Sequence, residues 1–138
     1  MDYLSFEKIW QDNELLELKI SAGSEFVSAY QNCYIQDSAL GAIAEKIAGY
    51  FRNYTEPCYL EFGKKEGANT PAFSMCILPA DVSGHIKIEV DMEIDDNDTR
   101  AHRCCFYVNS ELGLVEKFGH SLKRLISGEI GEKVSLEE

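Results

Sequence analysis

From His85 to Asp95 the chain alternates without a break. Ile86, Ile88, Val90, Met92 and Ile94 hold one parity; His85, Lys87, Glu89, Asp91, Glu93 and Asp95 hold the other. Successive side chains of a strand point to opposite faces, so this pattern predicts a long strand with one buried and one wet face. Residues 15–21, LLELKIS, repeat the pattern on a smaller scale, with Leu16, Leu18 and Ile20 opposed to Glu17 and Lys19. Residues 25–35, EFVSAYQNCYI, are rich in β-branched and aromatic types and predict a second strand. CYLEF (58–62), AFSMCIL (72–78) and RAHRCCFYV (100–108) read as three more. The polar run GKKEGANT reads as a hairpin loop and DDND, at 95–98, as a turn.

The period changes twice. Leu40, Ile43, Ala44, Ile47, Ala48 and Phe51 fall at helical spacing and predict a helix over 38–53, with Asp37 or Ser38 as its N-cap. Leu112, Val115, Phe118, Leu122, Leu125 and Ile126 predict another over 110–127. Lys123 and Arg124 then sit in its last turn, where cations favour the dipole, and Gly128 takes the C′ position. Gly119 is expected to mark close packing of this helix on the sheet.

Residues 1–14 are expected to form an N-terminal arm or helical turn over the core. Their aromatics Tyr3, Phe6 and Trp10 read as core or lid, or as an exposed interface anchor. Residues 129–138 are expected to remain a flexible tail.

The expected order is therefore β-β-α-β-β-β-β-α. Short polar connections favour antiparallel neighbours, and the two amphipathic helices can cover the buried face. The predicted fold is α+β: a two-layer sandwich in which a mostly antiparallel sheet of about six strands is covered on one face by two helices, in a single domain over 1–138. No internal repeat or linker stands out in the sequence.

Composition adds limits. A chain of 138 residues is long enough to bury a core without disulfides. The cysteines, Cys33, Cys58, Cys76, Cys104 and Cys105, are odd in number and lie in apolar, strand-like contexts, which favours reduced thiols. The first ten residues lack the apolar stretch of a secretory signal, so a cytoplasmic location is expected. The net charge of −11, from 24 acids against 13 bases, argues against nucleic acid and anionic membranes as partners and favours a basic one.

Candidate chemistry is sparse. The acidic parity of 85–95 places neighbouring carboxylates about 7 Å apart along a strand, too far to converge on calcium or to work as an acid–base pair without a cleft. The remaining readings are a solvated face and a docking surface, with Arg100 and Arg103 on the following strand as the bases that could offset the repulsion. In HRCC, strand geometry sends His102 and Cys104 to one face and Arg103 and Cys105 to the other, so the vicinal cysteines diverge. No C-x-x-C is present, and His85, His102 and His120 form no zinc pattern. GHS at 119–121 lies in a helical segment and lacks the G-x-S-x-G context of a nucleophile elbow. GKKEGAN lacks P-loop spacing. No metal or cofactor is expected.

The ordering of AFSMCIL, GHIKIEVDMEID, RCCFYVNSE and the terminal helix LGLVEKFGHSLKRLI resembles that of WapI-like immunity proteins of bacterial polymorphic toxin systems. The resemblance covers 15–127 and rests on spacing and apolar pattern; Cys104–Cys105 and the N-terminal segment lie outside it. It implies a non-enzymatic intracellular inhibitor that binds a cognate toxin. It carries over no functional residue.

The expectation is thus a protein-binding module that meets a basic protein through Glu89, Asp91, Glu93, Asp95, Asp96 and Asp98. The alternative is a small-molecule-binding domain or enzyme with a site between sheet and helices, using His102, Cys104 or His120. A homodimer built through an exposed sheet edge is a third expectation.

Overall fold

The computed structural model describes residues 2–63, 72–97 and 100–136; the side chains of 72, 94–97, 100 and 101 are outside that description. In chain order the elements are β1 (Tyr3–Gln11), β2 (Leu15–Gly23), β3 (Ser28–Gln36), α1 (Asp37–Tyr50), β4 (Cys58–Phe62), β5 (Ala72–Ile77), β6 (His85–Asn97), β7 (Arg100–Glu111), α2 (Leu112–Ser121), α3 (Arg124–Ser127) and β8 (Lys133–Leu136).

The fold is α+β, but the strands form two sheets rather than one of about six strands. Sheet A runs β3-β2-β1-β8 and sheet B runs β4-β5-β6-β7, each antiparallel throughout. The extra strands come from the two ends of the described chain. The segment expected as an arm is β1, an interior strand of sheet A paired with both β2 and β8. The segment expected as a flexible tail contains β8, whose Leu136, Ser135, Val134 and Lys133 pair with Leu4 to Glu7. The signal in the N-terminal segment was alternation: Leu4, Phe6 and Lys8 share a parity, and all three are fully buried.

The topology also contains a repeat that the residues hide. In cyclic order, β8-β1-β2-β3 is a four-strand meander followed by α1, and β4-β5-β6-β7 is a four-strand meander followed by α2. Each helix packs against the last strand of its own meander and the first strand of the next: α1 on β3 and β4, α2 on β7 and β8. The two units share no sequence pattern beyond strand alternation.

The inner faces of both sheets and one side of the helix pair enclose a single core. Phe6 of β1 is its meeting point, with ring centroids 5.0 Å from Phe62, 5.8 Å from Phe73 and 5.2 Å from Phe118. Each such buried aromatic contributes about 1.5–3 kcal/mol from burial. Among the described residues, the Gln31 amide donates to the Glu93 carbonyl (3.1 Å) between the sheets, and the Asn109 N–H of β7 donates to the carboxylate of Asp2, just before β1 (2.7 Å).

The helices differ in detail from expectation. The N-cap of α1 is Gln36, with no side-chain cap, and Asp37 stands in the first turn. The C-terminal helix is split into α2 and α3, because Leu125 and Ile126 bond back three residues, to Leu122 and Lys123, in the tighter helical pattern. Gly128 caps α3 with extended backbone at φ −74°, not a left-handed turn. Gly119 packs on α1 rather than on the sheet: a Cβ there would lie 2.6 Å from Ile47 Cγ2.

Candidate binding surfaces

The outer face of sheet B carries the acidic parity of β6. Pairing aligns the residues into rows across the sheet. One row is Tyr59, Cys76, Glu89 and Tyr107; the next is Glu61, Ser74, Asp91 and Cys105; a third holds Glu93 and Arg103. Arg103 does what its position predicted, though for one carboxylate above the others. Its Nη2 lies 2.9 Å from Asp91 Oδ2 and its Nε lies 3.3 Å from Asp91 Oδ1, a two-point contact. Asp91 is only 8% exposed, so its charge is taken up inside the face and not offered to solvent.

The neighbouring acids are held differently. Tyr107 Oη donates to Glu89 Oε2 at 3.1 Å, and Tyr59 Oη donates to Glu61 Oε2 at 2.9 Å. Both phenols are about half exposed. The Glu89 carboxylate pushes the Tyr107 hydroxyl above its usual value, since an ionised phenol could not donate to it. The outer face of sheet B therefore sets Glu61, Glu89, Asp91, Glu93 and Glu111 against Lys87 and Arg103. Asp95 and Asp96 lie on the backbone of β6 with their side chains outside the description, and Asp98 is outside the described residues.

The outer face of sheet A is of another kind. Its rows are Trp10, Glu17 and Tyr34; Lys133, Glu7, Lys19 and Asn32; Ser135, Ser5, Ser21 and Tyr30; and Tyr3, Gly23 and Ser28. A register shift between Lys8 and Trp10 turns Trp10 outward, although simple alternation would put it on the core side with Lys8. Trp10 and Tyr34 meet edge to face over Glu17, ring centroids 6.1 Å apart. Lys19 Nζ sits 4.9 Å over the Tyr30 ring. The Tyr3 ring lies so close over Gly23 that a Cβ there would come within 2.3 Å of it. Trp10, Tyr30 and Tyr34 are 42%, 64% and 52% exposed, so no described residue covers this face. The N-terminal aromatics thus divide between both readings: Phe6 is core, and Trp10 is exposed.

The cysteines follow strand parity. Cys105 pairs with Asp91 on the outer face of sheet B, whereas Cys104 pairs with Met92 on the inner side. All five thiols are free. Burial, aided by Glu17, pushes the Cys33 thiol up to about 12. Cys105 is raised by desolvation and by Asp91 and Glu89.

Three cavities bear on the small-molecule alternative. One of about 320 Å³ lies between α1 and α2, lined by Glu45, Ile47, Phe51, Glu116, His120 and Lys123. Lys123 bridges to Glu45 across it at 2.9 Å. A second, of about 500 Å³, lies beside the turn that leads into β6 and includes Asp81, His85, Lys87, Asn109 and Ser110. The Ser110 Oγ there is buried and has no partner among the described residues. A third, of about 390 Å³, lies under Tyr50, Pro57 and Tyr59. His120 therefore lines a cavity, but His102 and Cys104 line none of these three. Among the described residues no group of three or more His, Cys, Asp or Glu side chains could hold a metal ion. No described helix is long and apolar enough to cross a membrane.

Comparison with protein-family models, curated proteins and solved structures finds no match.

Proposed function

We propose that the protein is a binding module that receives a basic protein on the outer face of sheet B. The observation that carries this reading is the pairing of exposed phenols with carboxylates, Tyr107 with Glu89 and Tyr59 with Glu61. Tyrosine supplies contact area at small entropic cost, and a carboxylate already held by a phenol loses less freedom when a cation arrives. Arg103 neutralises Asp91, so the contact residues shift from the stripe as a whole to Glu61, Glu89 and Glu93 with the two tyrosines. The chain's net charge of −11 would draw a basic partner from a distance.

The resemblance to toxin-immunity proteins suggests what such a partner would be: a basic toxin domain, neutralised by occlusion in the cytoplasm. Co-expression with a toxin encoded beside this chain tests it. The wild-type chain should restore growth, and Glu61→Lys/Glu89→Lys/Glu93→Lys should not, at equal soluble expression. Equal protection by both would contradict the proposed surface.

A small-molecule site is the second reading, favoured by the partnerless Ser110 hydroxyl in the cavity of about 500 Å³. A ligand there would accept a hydrogen bond from Ser110, and Ser110→Ala should weaken its binding up to about tenfold.

A further inference from the structure

The uncovered face of sheet A is chemically unlike the rest of this acidic chain. It balances Glu7 and Glu17 against Lys19 and Lys133 and adds Trp10, Tyr3, Tyr30 and Tyr34. Two copies carrying −11 each repel one another over most orientations. Among the described residues this face has no net charge to oppose contact, and it carries the aromatic types that dominate interface energetics.

The register makes the face self-complementary. A two-fold axis laid along the strands, between β1 and β2, reverses the order of strands from one copy to the other and keeps each row level. The row Lys133, Glu7, Lys19, Asn32 then meets its own reverse. Glu7 faces Lys19 of the second copy, Lys19 faces Glu7, and Lys133 faces Asn32. In the adjoining row Trp10 falls opposite Glu17 and beside Tyr34 of the second copy, so the two Trp10–Tyr34 pairs interleave. No like charges are set opposite each other.

The area is sufficient. Three strands of nine residues and one of four cover roughly 500 Å² at about 3.3 Å per residue and 4.8 Å per strand. Two copies would bury about 1,000 Å², the lower limit for a specific interface.

We infer that the outer face of sheet A is a homodimer interface, formed by isologous face-to-face packing of two copies of this chain. It leaves both sheet B faces outward, so the dimer presents two acidic surfaces on opposite sides. This inference does not depend on what sheet B binds.

Sedimentation equilibrium of the purified chain tests it. Over about 1–300 µM, where a micromolar Kd shifts the mass, the weight-average mass should rise from the 15.6 kDa chain toward twice that value. Trp10→Glu should hold the protein at monomer mass. Lys19→Glu/Lys133→Glu changes only side chains on this face and should raise Kd by at least about 30-fold through like-charge contact. Tyr107→Glu, on the opposite face, should dimerise as the wild type does. A wild type that stays monomeric throughout the range overturns the inference. So does a dimer unaffected by both sheet A variants, which would place the contact on a sheet edge or on sheet B. Circular dichroism identifies a variant that is monomeric only because it is unfolded, in which case the lysine pair alone decides.

Discussion

The ammonium of Lys8 lies 3.3 Å from the carbonyl oxygen of Ile126, and it also donates to the carbonyl of Gly128 and to Gln11 Oε1 at 2.7 Å. A lysine at 0% exposure is thus fully hydrogen-bonded, and two of its three acceptors, the carbonyls of Ile126 and Gly128, stand at the C-terminal end of α3, where unpaired carbonyls need a donor. Burial still lowers its pKa, with Glu132 opposing. The backbone of Lys8 joins the same junction, donating to Glu132 and accepting from Gly131. Lys8→Met keeps the aliphatic stem and strands these carbonyls. It should cost about 2–3 kcal/mol, read as a lowered urea midpoint at unchanged slope. Hydrogen exchange should accelerate first in β8.

The contact between Gly119 and Ile47 makes the α1–α2 approach sensitive to one methyl group. Gly119→Ala gains helix propensity but drives Cβ into a branched, buried side chain, so a net loss of about 1–2 kcal/mol is expected. Ile47→Val leaves Cγ2 in place and should not rescue it, whereas Ile47→Ala in the double variant should recover part of the cost. Thermal melts of the wild type, Gly119→Ala, the two Ile47 single variants and the two double variants read the coupling.

Thiol chemistry should rank by burial. Cys33 is 1% exposed with its pKa pushed up to about 12, so it should resist iodoacetamide until the protein unfolds. Cys105 is exposed and should label in the native state, more slowly than a free thiol because partial desolvation, with Asp91 and Glu89, disfavours its thiolate. Mass spectrometry after timed labelling separates the two.

Asp81 organises the turn into β6. Its Oδ1 accepts from the N–H groups of Ser83 (2.8 Å) and His85 (2.9 Å), and Gly84 follows the turn at φ +83°. These bonds, that to His85 foremost, hold its carboxyl below the usual range. A carboxyl depressed on folding stabilises the native state fully above its unfolded pKa, near 3.8, and loses that contribution as pH falls through the lower folded value. Asp81→Asn should therefore reduce stability at neutral pH and flatten the acid limb below about pH 4, measured by urea titration across pH.

Alternation made β2 and β6 readable, β-branched and aromatic composition did the same for β3, and the short apolar runs of β4, β5 and β7 read as strands between polar connections. Helical period did the same for α1 and α2. The end strands were harder. β8 has four residues and is recognisable only through its partner β1. In β1 the buried Lys8 and the register shift before Trp10 both break the apolar pattern. Division into two sheets is a matter of which strand edges lie unpaired, which no local period encodes. The acidic face was legible, and so was Arg103 as a counter-charge; the burial of Asp91 was not, because it depends on the flanking strands. The aromatic face of sheet A was missed because its residues come from two strands that alternation alone does not bring together.

Association kinetics test the proposed docking of a basic protein on sheet B most directly. With a basic protein that the chain binds as ligand, the association rate constant should fall steeply between about 20 and 300 mM salt, while dissociation changes little. Glu61→Lys/Glu89→Lys/Glu93→Lys should lower the rate at least about 10-fold at low salt and flatten its salt dependence. Unchanged association by that variant, with the same salt dependence as the wild type, would contradict the account.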